Sequence, residues 1–146
     1  MNLSKLLGRK LKDDDMIDVF ESFGIENVVY DFDRLHENQP DVYWAGAERE
    51  GFLLRFNEQQ ICDVVYCYIQ ASEGFTPVDP SIAGVEIFSA YDEAEQACQR
   101  NGLSYTVAGP SMPKEWLRVD SGPFNVHYQF KDGTLFRITL SSQAPG

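Results

Sequence analysis

At 146 residues the chain can bury a core without disulfide or metal staples, since a chain of about 150 residues hides roughly 68–70% of its unfolded surface. A hydrophobic content of 43% excludes a disordered chain, and 23 acidic against 12 basic residues give a formal charge of −11, which repels nucleic acid and anionic membranes. The same field speeds encounter with a basic partner, and it also serves plain solubility.

From the N-terminus, Leu3, Leu6, Leu7 and Leu11 make a short apolar-periodic start broken by Gly8. Asp13, Asp14 and Asp15 then precede Met16, Val19, Phe20 and Phe23, a stripe with helical spacing that stops at Gly24. This predicts an amphipathic helix with acids at its positive end. Val28 to Phe32 predicts a strand. Asp33 to Glu50 is largely polar, holds Pro40, Asp41, Tyr43 and Trp44, and reads as a long connection with an aromatic anchor, the kind of segment that carries binding surfaces.

Gly51 to Tyr66 predicts a hairpin, with Phe52, Leu54 and Phe56 on one face of its first strand and Cys62, Val64 and Tyr66 on one face of its second. Cys62 and Cys67 fall on opposite faces of that second strand, so with Cys98 they form no disulfide framework and are expected as reduced thiols. Glu73 to Gly84 is rich in Gly and Pro and reads as a linker. Ser89 and Asp92 then open a second helix, with Ala94, Ala97 and Cys98 as its apolar stripe and Gly102 as its stop. A second hairpin spans Phe124 to Leu140, where Val126, Tyr128 and Phe130 face Phe136, Ile138 and Leu140 across a Lys-Asp-Gly-Thr turn.

The two hairpins match when Phe56 is placed on Phe130. The helices match when Gly24 is placed on Gly102. The expected fold is therefore α+β: two similar helix–strand–hairpin halves, residues 1–72 and 85–142, joined by a linker over 73–84 in one compact domain, with antiparallel sheet packed against helices.

Motifs of chemistry are absent from the sequence: it has no Gly-rich phosphate loop, CxxC, HExxH or GxSxG. Asp31, Asp33, His36 and Glu37 form one cluster that invites a metal or acid–base reading, but two carboxylates with one histidine and no second cluster fit a solvated loop better. His127, Arg55, Arg137, Gln129 and Asp63 fall on the polar side of the hairpins, where cross-strand pairing is the expected role. The aromatics do not interleave with basic residues as in a nucleic-acid platform. No signal-peptide run and no stretch approaching ~20 apolar residues occurs, so a cytoplasmic protein is expected.

YDFDRLHENQPDVYWA followed by GFLLRF, and later VHYQFKDGTLFRITL, resemble small cytoplasmic immunity proteins that accompany bacterial contact-dependent or secreted toxins. The helix-then-hairpin halves also resemble a tandem form of the small β-barrel-assembly lipoprotein fold, although no lipid-attachment cysteine follows a leader here. The first likeness implies a stoichiometric inhibitor that is not an enzyme and needs no cofactor or metal, and its partner is expected to be a basic toxin domain such as a nuclease. The expected partner surface is the acidic set Asp13, Asp14, Asp31, Asp33, Glu37, Asp41 and Glu48 around the anchors Tyr43 and Trp44. Two other readings stand beside it: an adaptor or regulatory protein-binding module, and a small metal-dependent hydrolase built on Asp31, Asp33, His36 and Glu37.

Overall fold

A computed structural model describes residues 1–32, 38–109, 115–120 and 122–142. Eight strands run through them: β1 (Val29–Asp31), β2 (Val42–Ala47), β3 (Phe52–Phe56), β4 (Cys62–Tyr68), β5 (Tyr105–Val107), β6 (Trp116–Val119), β7 (Phe124–Lys131) and β8 (Thr134–Ser142). They form one antiparallel sheet in the order β1-β2-β3-β4-β8-β7-β6-β5. Helix α1 (Asp14–Ser22) precedes the first four strands, and α2 (Tyr91–Arg100) precedes the last four. The fold is α+β, as expected.

Both helices cover the same face. Phe52 of β3 is in register through Cys67 and Ile138 with Tyr128 of β7, so these side chains share one side of the sheet. Phe23, just past α1, meets Phe52 edge-on at 5.1 Å, and Tyr91 of α2 meets Phe130 at 5.6 Å. Met16, Val19, Ala94, Ala97 and Cys98 complete a core with Leu54, Phe56, Val65, Leu117, Ile138 and Leu140. The Asp-rich start of α1 and the acids Asp92 and Glu93 of α2 lie at positive helix ends.

Each helix stops the same way. Gly24 and Gly102 hold φ near +65°, a left-handed conformation that only glycine adopts freely. In the first, Gly24 N–H donates to Glu21 and Ile25 N–H to Phe20; in the second, Gly102 N–H donates to Gln99 and Leu103 N–H to Cys98. The hairpins also share an irregularity. Pairing shifts between Arg55 and Phe56 in one and between Gln129 and Phe130 in the other. The extra residue is Asp63 on β4 and Phe136 on β8. A single backbone bridge ties the chain ahead of each helix to the start of the matching strand, Lys10 to Ile61 and Ala90 to Thr134.

Three expectations are corrected. The bulge at Asp63 reverses the alternation of β4, so Cys62, Val65 and Cys67 are buried while Val64 and Tyr66 lie half-buried on the helix-free face. For the same reason β8 buries Leu135, Ile138 and Leu140, and Phe136 is only half-buried. The long connection after Phe32 is not irregular throughout, because Val42–Ala47 forms β2, with Ala45 and Ala47 buried on the helix side. The stretch read as a linker is closely packed: Thr76 N–H donates to Glu48, Val78 N–H donates to Tyr68, and Val78 is buried.

The bulge carries a measurable consequence. Phe130 sits beside it at 5% exposure against Tyr91. Phe130→Ala is expected to cost about 3–5 kcal/mol in urea denaturation. Gln129→Ala, on the other face, is expected to cost about 1 kcal/mol, because its Oε1 accepts from Arg137 Nε at 2.7 Å.

Candidate functional site

Strand β1 forms one edge of the sheet, and every residue in it is exposed. Val29 is 61% exposed, and Tyr30 and Phe32 are each 46% exposed, a run of apolar surface that a free sheet edge rarely leaves uncovered. Tyr30 stacks between Phe32 (5.6 Å) and Tyr43 of β2 (4.8 Å). Its hydroxyl donates to Asp41 Oδ2 at 2.6 Å, and that bond to a carboxylate pushes the phenol up to about 12. Asp41 N–H in turn donates to Glu58 Oε1 at 3.0 Å. Three stacked rings therefore stand beside Asp31, Asp41 and Glu58.

The expected partner residues are divided by the fold. Asp31 and Asp41 join this edge. Asp13 and Asp14 lie at the start of α1, where Asp13 Oδ2 accepts from Lys10 N–H; Leu11 N–H donates to Gln60 in the β3–β4 turn, so this acidic turn lies at the same end of the sheet as Glu58. Tyr43 is half-buried and packs against the core, leaving Tyr30 as the more exposed ring. Trp44, its neighbour, projects from the opposite face and tilts against Tyr66 at 6.1 Å. Glu48 lies beyond the far end of β2, in a 3-10 turn over Glu48–Glu50. Asp33, His36 and Glu37 lie outside the described residues, so the cluster with Asp31 does too.

The helix-free face carries a second constellation. Arg137 stacks over Tyr66 (5.2 Å) and Tyr68 (5.9 Å), Arg55 pairs with Asp63 at 3.8 Å, and Arg118 bonds Asp120 at 2.6 Å. Of the residues that alternation set on this side, Arg55 pairs with Asp63 and Arg137 with Gln129 across strands, as expected. Burial raises the Asp63 carboxyl above its usual range although Arg55 opposes the shift. His127 lies among them, its ring 5.2 Å from Trp116, with Nε2 buried and unbonded among the described residues.

A groove opens on this face where β1 leaves β2. Pairing of β1 begins at Val29, opposite Trp44, so Asn27 has no pairing with Gly46. Trp44, Gly46, Leu53 and Phe75 line the space, and Glu26 and Glu48 flank it. Sequence reading placed Trp44 and Glu48 on the surface but had no signal for Phe75, which arrives from a distant segment and stacks on Tyr68 at 4.4 Å.

No family model, curated protein or solved structure matches the chain. Among the described residues no helix is long and apolar enough to cross a membrane, and no group of three or more His, Cys, Asp and Glu side chains is placed to hold a metal ion.

Burial, then Arg118 and Arg137, lower the His127 pKa below its ordinary 6.5. A histidine depressed by folding binds fewer protons folded than unfolded in this window, so its share of stability is complete above 6.5 and is lost as pH falls through the folded value. His127→Gln is expected to flatten the stability profile below pH 6.5, and an NMR titration of the imidazole is expected to give a midpoint under that of a free histidine.

Proposed function

We propose that this chain is a protein-binding module, and within that class a cytoplasmic immunity protein that blocks a basic toxin domain, without catalysis of its own. The observation that carries it is the β1 edge: an exposed apolar strand with a ring stack, set among Asp31, Asp41 and Glu58 on a chain of formal charge −11. An open strand edge offers main-chain pairing, aromatic side chains supply most of the energy of a typical interface, and carboxylates around them steer a basic partner. The immunity assignment adds the sequence resemblance to that physical reading.

The reading requires a toxin-like protein encoded beside this chain, and the experiment is co-expression with that protein together with binding kinetics. Asp31→Lys with Asp41→Lys and Glu58→Lys is expected to slow association at low salt and to lose that effect near 1 M salt, where the Debye length is about 3 Å. Tyr30→Ala is expected to speed dissociation by about 30-fold, the value of an interface hot spot near 2 kcal/mol. Full protection and unchanged kinetics in both variants would remove β1 from the proposal.

The module is read further as two copies of one unit, a helix followed by a four-stranded meander. Support comes from the matching glycine stops, the matching bulges and the matching bridges to the helix starts. The seam adds to it. Burial aligns Cys62, Val65 and Cys67 with Leu135, Ile138 and Leu140, which puts Tyr66 on Thr139, and Tyr66 pairs with Thr139 across β4 and β8. A strand pair centred on equivalent residues is what an ancestral two-fold dimer would leave. The isolated first half, residues 1–84, is accordingly expected to self-pair through β4 and run as a dimer in light scattering; a folded monomer would count against the duplication.

A further inference from the structure

The groove beside β1 brings together the two chemistries that recognise a guanidinium, aromatic surface and carboxylate. Gly46 has no side chain, and the space above it is bounded by both: a Cβ there would sit 2.9 Å from Glu48 Oε1 and 3.4 Å from Phe75 Cζ. Trp44 supplies a second ring and Leu53 an apolar wall. Across the groove, Glu26 is exposed on the segment that leaves α1. Neither the Glu26 nor the Glu48 carboxylate has a hydrogen-bond or ion-pair partner among the described residues. Arg55 on β3 is held by Asp63 at 3.8 Å, and Arg49, next to Glu48, lines the adjoining cleft with Glu26, Glu48 and Glu50, so neither arginine lines this groove.

We infer that this groove is a binding site for an arginine side chain of the protein partner. The volume, about 750 Å³, accommodates a guanidinium with the chain that carries it. Arginine fits better than lysine because its planar group stacks on rings while its fork of N–H donors reaches two carboxylates. The protein already uses the same contact internally, with Arg137 laid over Tyr66 and Tyr68 on the same face. The aromatic walls are held in place before any ligand arrives, Phe75 by its stack on Tyr68 and Trp44 by Tyr66. The inference rests on the protein-binding reading for its biological occupant. It names what the groove takes, where the β1 edge alone names only a surface.

The test uses the intact chain and a short probe, N-acetyl-Gly-Arg-Gly-amide, with the citrulline peptide as the neutral isostere. The readout is the indole N–H signal of Trp44 in ¹H–¹⁵N spectra. Trp116, the only other tryptophan and remote on β6, serves as the internal control. The arginine peptide is expected to shift the Trp44 signal saturably at millimolar concentration and to leave Trp116 in place, while the citrulline peptide moves neither. Glu26→Gln with Glu48→Gln, two exposed changes that keep the fold, is expected to weaken binding by roughly tenfold or more. An equal response to citrulline, binding by the double variant within about twofold of the parent, or no shift of Trp44 would each overturn the inference. Because the probe is not the partner, its failure leaves the β1 proposal standing, and failure of the β1 variants leaves the probe result standing.

Discussion

The pairing of β4 with β8 is the constraint on which the remaining structure depends. Five residues of each strand meet in register, from Val64 opposite Ser141 to Tyr68 opposite Arg137. Without that ladder the chain would be two four-stranded meanders, each with a long unpaired edge and half a core. With it, Val65 and Cys67 abut Leu140 and Ile138, and the apolar faces under α1 and α2 become one continuous layer. Joining the second strand of each hairpin also pushes the shortest strands, β1 and β5, to the two outer edges. The accessible edge is thus a product of the central seam.

That layout assigns different work to the two faces of the sheet. The helix side is apolar where α1 and α2 cover it, and the Tyr30–Tyr43 stack stands beyond them at the β1 edge. The open side is built from long side chains packed on one another, with Arg137 over two tyrosines and Trp44 tilted against Tyr66, and burial there raises the Asp63 carboxyl. His127 also sits there, its pKa lowered by burial and by Arg118 and Arg137. Three arginines of this acidic chain, Arg55, Arg118 and Arg137, lie on that face, the first two paired with Asp63 and Asp120.

Much of this was legible in the residues. The Asp132–Gly133 turn, where both residues hold positive φ, and the glycine stops of both helices announce themselves through residues that only such conformations favour. What stayed hidden has physical causes. A bulge leaves no mark in a run such as Cys-Asp-Val-Val-Tyr-Cys, where either phase offers apolar side chains, so β4 was assigned the wrong face beyond Cys62. Strand β2 was missed because Ala45, Gly46 and Ala47 are small, and their suitability comes from helix packing on one side and groove space on the other. Tyr43 and Trp44 read as a joint anchor, yet consecutive strand residues face apart, which gives one to the edge stack and the other to the groove. The groove itself depends on three segments distant in sequence, and no local pattern encodes their meeting.

The β1 edge, uncovered among the described residues, raises the question of what keeps two copies of this protein from joining along it. Strand edges with exposed Val29, Tyr30 and Phe32 invite pairing with any extended chain, including another molecule of the same kind. A second copy approaching edge to edge would bring its own Asp31, Asp41 and Glu58 against these, and like charges directly opposed are costly. The carboxylates that would welcome a basic chain therefore act as a guard against self-assembly. One row of charges sorts strangers from siblings, and the sheet can stay open without becoming the seed of a fibre.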